Sequence, residues 1–258
     1  MILNFAPKLI AFDLDGTLAE SKQRMSAEMG ELLGKLLNVM PVAVLSGAKF
    51  AQFENQLLPA LPDTHLNRLF LFPTNAAQGY IFEKGAWHVR YDHSFSEPER
   101  ARIMQALAEA LPEAGLAEEP PQTWGNRIED RGAQISFSPL GQQAPVEAKR
   151  GWNSEHDHLR KKLNAALTVR LPDFSIKMGG LTTIDITHKG ITKAYGIRKL
   201  IELTGLSISQ MLFVGDALQE GGNDSVVIET GIKTYQVFGP EETAQLIEEV
   251  LRGASHHA

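Results

Sequence analysis

Apolar residues fall into short unbroken runs separated by longer stretches in which they recur every three or four positions. Leu9-Ile10-Ala11-Phe12 is the first run, and its length and enclosure predict a buried strand. Leu32, Leu33, Leu36 and Leu37 then repeat at helical spacing. A second run, Pro41 to Leu45, precedes Ser46-Gly47 and a helical segment from Phe50 to Leu58, and Leu69 to Phe72 is a third run. The alternation resumes near the end of the chain. A helix is predicted from Lys193 to Leu203, strands at Met211 to Val214 and Thr234 to Val237, and a closing helix after Pro240. Strands alternating with helices predict a parallel sheet covered on both faces. Ligands of such sheets sit beyond the carboxyl ends of the strands.

The middle of the chain has another texture. Tyr80-Ile81-Phe82 and Trp87-His88-Val89 flank Lys84-Gly85 as in an antiparallel hairpin. Ser96 with Glu99 makes a capping box for a helix running toward Leu111. Arg127 to Ser138 reads as strand, turn and strand, and a charged helix spans roughly 154–167. Phe174 to Met178 and Thr182 to Ile186, joined through Gly179-Gly180, form another hairpin. The expected fold is therefore α/β, a Rossmann-like parallel-sheet core of residues 1–82 and 188–258 with an inserted α+β cap of residues 83–187.

Composition narrows the classes. With 258 residues and 43% hydrophobic content the chain can bury one large core or two modest ones. A net charge of -6 without a long basic block argues against nucleic acid or an anionic membrane as partner. There is no cysteine, which removes disulfides and thiolate metal sites and suits a cytoplasmic protein. No apolar run is long enough to span a bilayer, and Met1 to Phe12, broken by Asn4, Pro7 and Lys8, reads poorly as a signal peptide. His256 and His257 read as a solvated chain end.

Chemistry collects at the predicted strand exits. Asp13-Leu14-Asp15-Gly16-Thr17 follows the first strand. Carboxylates two residues apart in extended chain share a side, so one can attack while the other moves protons. The glycine permits a sharp turn, and Thr17 adds a hydroxyl and an N–H for phosphate oxygens. An ordinary Asp-Gly turn has the same letters. Ser46 offers a hydroxyl after the second strand, where a small residue in a Ser-Gly turn is the plainer reading. Gly215-Asp216 and Gly221-Gly222-Asn223-Asp224 form an acidic, glycine-rich loop of hard oxygen ligands that suits Mg²⁺. Lys193 opens the helix after the insertion, in reach of a carboxylate and a phosphate.

These motifs, in this order, resemble those of the haloacid dehalogenase superfamily of phosphatases and phosphomutases, and the insertion resembles its type-2 cap. Within that superfamily FDxDGTL, GxxFxxxxxQL at Gly47 to Leu57, RxGxxxxxSPxG at Arg131 to Gly141, GGxxxxD at Gly179 to Asp185 and GDxxxxGGND look like the α-phosphomannomutase family. The resemblance implies Asp13 as nucleophile, Asp15 as acid and base, and Ser46 and Lys193 as stabilisers of the transferring phosphoryl group. It implies Mg²⁺ at Asp13, Asp15 and Asp216, with Asn223 and Asp224 arranging its surroundings. For the cap it implies Arg131 at a phosphate and Asp185, with Thr183, at sugar hydroxyls.

Three positions depart from the family pattern. An arginine after SPxG is replaced by Gln142, an arginine after the nucleophile motif aligns with Lys22, and a third falls near Lys149 and Arg150. Arginine gives phosphate a planar, permanently charged fork, whereas glutamine gives a neutral amide. Less cap charge favours a Mg²⁺-dependent phosphatase acting on a small phosphosugar as a monomer or homodimer. A phosphomannomutase interconverting mannose 1-phosphate and mannose 6-phosphate is the alternative.

Overall fold

The structure is a computed structural model and describes residues 5–21 and 23–255. In chain order its main elements are β1 (Leu9–Asp13), α1 (Ala27–Val39), β2 (Val42–Leu45), α2 (Phe50–Gln56), β3 (Leu69–Phe72), the single turn α3 (Pro73–Ala76), β4 (Gln78–Glu83) and β5 (Ala86–Asp92). There follow α4 (Glu97–Ala114), β6 (Ile128–Asp130), β7 (Gln134–Phe137), α5 (Val146–Arg170), β8 (Phe174–Gly179) and β9 (Thr183–His188). The chain closes with α6 (Lys193–Thr204), β10 (Met211–Gly215), β11 (Lys233–Gln236) and α7 (Pro240–Ser255). It divides into two compact units, 1–92 with 191–258, and 93–190. Among the described residues no helix is long and apolar enough to cross a membrane.

The first unit is the α/β core. Its sheet runs β11-β10-β1-β2-β3-β4-β5, with the first five strands parallel and the β4–β5 hairpin antiparallel. The two-residue period of a strand explains why its runs are wholly apolar: both faces are covered. Ile10, Phe12, Val42, Val44, Leu212 and Val214 pack on one side with Leu33, Leu36 and Leu37 of α1 and Leu246 and Ile247 of α7. Leu9, Ala11, Ala43, Leu45, Met211 and Phe213 pack on the other with Ile197 and Leu200 of α6. Each such side chain contributes about 1.5–3 kcal/mol on burial. Ser26 caps α1 by accepting the Met29 N–H at 3.1 Å.

The second unit covers 93–190 rather than the expected 83–187, so both of its boundaries shift. The expected cap began at residue 83, but β5 belongs to the core unit, because β4 continues the sheet by antiparallel pairing with β3 and carries β5 with it. Apolar alternation in a hairpin identifies a half-buried ribbon without naming the sheet it joins.

The second unit is α+β. Its antiparallel sheet runs β6-β7-β9-β8. Ile135 and Phe137 of β7 and Ile184 and Ile186 of β9 pack with Ile103 and Leu107 of α4 and Leu163 and Leu167 of α5. Alternation puts Gln134, Ser136, Thr183, Asp185 and Thr187 on the opposite face. The capping box at Ser96 is present, and Glu99 accepts the Ser96 N–H at 2.8 Å. The charged helix is longer than its expected span of about 154–167, covering Val146–Arg170 from Pro145 onward. Gly151 within it costs about 1 kcal/mol in propensity, which the packing of Leu163 and Leu167 outweighs.

Candidate active site

The parallel strands end together, and their exits supply the site of the core unit. Asp13 closes β1 beside Leu45 of β2, with 3% of its surface exposed. Across the β1–β10 pair Phe12 lies beside Val214, so Gly215 and Asp216 leave the sheet next to Asp13. Asp13, Asp216 and Asp224 each bring a carboxylate oxygen within 4.8 Å of the others. At the start of α6, Lys193 is 1% exposed, and its Nζ donates to Asp13 Oδ1 at 2.5 Å and to Asp224 Oδ1 at 2.6 Å.

The electrostatics are those of a buried ionic cluster. Burial, aided by Asp224, pushes the Asp13 carboxyl up to about 7 against the opposing pull of Lys193. Burial alone would lower the Lys193 ammonium, but the two carboxylates outweigh it and hold it above its ordinary value. The ammonium is thus firmly protonated amid three acids. Burial and then Asp224 raise Asp216 as well. A hard divalent cation is what such a set accepts. Asp224 is the least available of the three, since Oδ1 takes Lys193 and Oδ2 takes the Ala217 N–H at 3.2 Å.

The remaining expected residues are placed as follows. Asp15, on the tight turn after β1, accepts from Gln56 Nε2 at 3.0 Å. Ser46 is 2% exposed at the exit of β2, and its Oγ accepts the Ala48 N–H at 3.1 Å. Asn223 is exposed on the loop after β10. The Thr17 hydroxyl is buried with no partner, which leaves a donor for an oxygen ligand among the strand exits. Lys22, like His256 and His257, lies outside the described residues.

In the second unit Ser136 and Asp185 are cross-strand partners, and the Ser136 hydroxyl donates to Asp185 Oδ1 at 2.6 Å. Gln134 in turn donates to Ser136 Oγ at 2.9 Å. Burial pushes the Asp185 carboxyl up, while the Ser136 bond and the nearby Arg131 oppose the rise. Arg131 turns its Nε and Nη2 to Glu129 Oε2 at 3.1 and 2.9 Å. Thr183 lies one alternation from Asp185 on the same strand. The amide nitrogen of Gln142 donates to the Ser136 carbonyl at 3.1 Å and the Arg127 carbonyl at 3.4 Å. Lys149 is half-buried and Arg150 exposed.

Two features were not assigned from sequence. Gln56 stands in the GxxFxxxxxQL stretch, but nothing local in the sequence pairs it with Asp15. Thr74, Asn75 and Ala76 all have positive φ, of 51, 55 and 67°. Their N–H groups reach back to the second strand exit, Thr74 to the Ala48 carbonyl and Asn75 to the Ser46 carbonyl, both at 2.8 Å. No glycine announces this left-handed turn.

A buried carboxylate at a strand exit, a helix-borne lysine bound to it and an acidic loop on the neighbouring strand define a phosphoryl-transfer enzyme of the haloacid dehalogenase fold. A family model described as eukaryotic phosphomannomutase matches residues 29–253, and the chain belongs to that family. It is 25% identical over 248 residues to the phosphomannomutase of Saccharomyces cerevisiae, covering 94% of this chain and 93% of that one. With phosphomannomutase 1 of Homo sapiens it shares 22% identity over 255 residues, 96% of this chain and 94% of the other. Among solved structures, a haloacid dehalogenase-like hydrolase from Bacteroides thetaiotaomicron superposes with a TM-score of 0.64 at 16% identity, covering 95% and 99% of the two chains. A Plasmodium falciparum IMP-nucleotidase superposes at 0.64 and 14%, covering 97% and 70%. These structural likenesses concern the fold.

Proposed function

We propose that this protein is a Mg²⁺-dependent phosphohexomutase of the phosphomannomutase type, moving a phosphoryl group between the 1- and 6-oxygens of a hexose through an aspartyl-phosphate. The observation that carries the reading is the length of the likeness to phosphomannomutases. It spans both units, so it includes the insertion that would select the substrate as well as the strand exits that would do the chemistry.

The cluster of Asp13, Lys193, Asp216 and Asp224 at the strand exits supports the following roles. An Asp13 oxygen attacks one phosphorus of a hexose 1,6-bisphosphate in line, the bond from that phosphorus to the sugar oxygen breaks, and Asp15 gives that oxygen its proton, leaving a hexose monophosphate. In the second half-reaction a sugar hydroxyl attacks the aspartyl-phosphate, Asp15 takes the hydroxyl proton, and Asp13 is released as carboxylate. Lys193 neutralises charge on the equatorial oxygens, and the Ser46 and Thr17 hydroxyls donate to them. Asp224 holds the ammonium in place. Asp13, the Asp15 carbonyl and Asp216 would hold the Mg²⁺, which supplies electrostatic stabilisation of the phosphoryl oxygens. Arg131 and Lys149 would face the distal phosphate, and Thr183 and Asp185 the sugar hydroxyls.

Hydrolysis is the second reading, and Gln142 favours it. Its amide nitrogen already serves two main-chain carbonyls, so it adds no charge to hold a second phosphate, and a bisphosphate that leaves early exposes the aspartyl-phosphate to water. The test is a parallel assay with mannose 1-phosphate and mannose 6-phosphate, with and without hexose 1,6-bisphosphate, following isomer and free phosphate together. Activator-dependent isomer with little free phosphate supports the mutase. Free phosphate without isomer replaces it by the phosphatase.

A further inference from the structure

Gln56 is a polar side chain buried to 4% exposure at the last position of α2. Its Nε2 donates to Asp15 Oδ1 at 3.0 Å, and its Oε1 accepts from Gln52 Nε2 at 2.6 Å. The second bond fixes the first: with the oxygen committed to a donor one helical turn back, only the amide nitrogen can face the carboxylate. The Gln56 main-chain carbonyl also accepts the Met25 N–H at 2.8 Å. One residue therefore grips the segment after the nucleophile at both ends, Asp15 through its side chain and Met25 through its backbone.

We propose that Gln56 is a positioning residue for proton transfer, with Gln52 as its support. It holds the Asp15 carboxyl in the rotamer from which a proton reaches the leaving oxygen. A buried amide is costly to leave unpaired, by roughly 1–3 kcal/mol, so the Gln52–Gln56–Asp15 chain resists rotation of any one member. Simple helix packing at this position would be served by an apolar side chain, as Phe53 shows one turn earlier. The inference rests on the reading of Asp15 as acid and base.

Leaving-group dependence separates positioning from mere structural support. Mannose 6-phosphate expels an alkoxide that needs a proton, whereas acetyl phosphate expels a carboxylate that needs none. The experiment compares single-turnover cleavage of both donors by the wild type, Gln56→Met, Gln52→Met and Asp15→Asn, with thermal midpoints alongside. Gln56→Met is expected to slow the sugar phosphate by at least about tenfold, toward the roughly 10²-fold that general acid catalysis supplies, and acetyl phosphate by less than about threefold. Gln52→Met touches nothing at Asp15 and is expected to show the same selectivity at smaller size, so it carries the test if Gln56→Met fails to fold. Equal losses on both donors, or none, in the glutamine variants while Asp15→Asn remains selective would overturn the proposal alone. Loss of selectivity in Asp15→Asn itself would instead overturn the role given to Asp15.

Discussion

Gly16 lies directly against the carboxylate of Asp216. A Cβ built on Gly16 would stand 2.5 Å from Asp216 Oδ2, and the glycine has a φ of +83°. Both facts forbid a side chain there, one by contact and one by backbone strain. Gly16→Ala is expected to lose roughly 1–3 kcal/mol of stability from the left-handed backbone and, by displacing Asp216, to weaken Mg²⁺ binding as well. Chemical denaturation and Mg²⁺ titration of the variant check the two effects separately. Normal metal affinity would show that Asp216 yields without consequence.

Lys193 is the only cation recorded between Asp13 and Asp224 among the described residues. Replacing it with methionine leaves two buried carboxylates facing each other, a loss of roughly 3–5 kcal/mol by analogy with other broken buried pairs. Because a divalent cation restores part of the missing positive charge, Mg²⁺ should raise the thermal midpoint of Lys193→Met more than that of the wild type. Equal increments would place the metal away from this cluster.

The second unit carries a surface pair with a defined pH signature. Glu99 is held down to about 2 by the Ser96 hydroxyl first, then by His188 and the Ser96 N–H. A carboxyl lowered on folding stabilises the protein above its unfolded value near 4.5 and ceases to do so as pH falls toward 2. The wild type should therefore exceed Glu99→Gln in thermal midpoint at neutral pH, and the gap should close between about pH 4.5 and pH 2. A gap that persists unchanged to the acid end would remove the charge from the explanation.

How much of this was legible in the sequence depended on whether a residue's role was local. Asp13, Ser46 and Asp216 were readable because each follows a short apolar run that specifies a strand, and strands in a parallel sheet end on one edge. The capping box at Ser96 and Glu99 was readable for the same reason, being set within one turn. The β4–β5 hairpin is legible as a hairpin, but a boundary at residue 83 places its second strand in the insertion, since that strand's membership of the core sheet depends on the pairing of β4 with β3, outside the pattern that reveals the hairpin. Gln56 was overlooked because its partner lies 41 residues away, and no periodicity marks such a pairing. The left-handed run Thr74 to Ala76 is not legible because only Asn75 among the three favours that conformation; main-chain bonds to the Ser46 and Ala48 carbonyls hold Asn75 and Thr74 in it.

Asp185, proposed to meet sugar hydroxyls, can be tested independently of the strand exits. The Ser136 hydroxyl steadies one oxygen, and Gly179 lies so close to the other that a Cβ there would stand 2.5 Å from Oδ2. Asp185→Asn keeps the shape and loses an acceptor. It should raise KM for hexose phosphates by about tenfold, the worth of one hydrogen bond to a charged group, while cleavage of acetyl phosphate, which has no sugar, stays the same. A parallel loss on acetyl phosphate would mean that Asp185 acts on the fold.

Gln142→Arg tests whether charge at this position sets the balance between the proposed transfer and hydrolysis. Its neutral amide is spent on the carbonyls of Ser136 and Arg127, so the substitution Gln142→Arg trades about 1 kcal/mol of main-chain hydrogen bonding for a permanent charge able to make paired, charge-assisted bonds to phosphate. If hexose bisphosphate retention limits the mutase, the arginine should lower the activator concentration needed and raise the ratio of isomer to free phosphate, by about tenfold for each 1.4 kcal/mol gained. If the ratio falls or stays constant while the protein remains folded, charge at this position does not control the partition. Lys149, a half-buried lysine of the same unit, would then be the position to exchange for arginine.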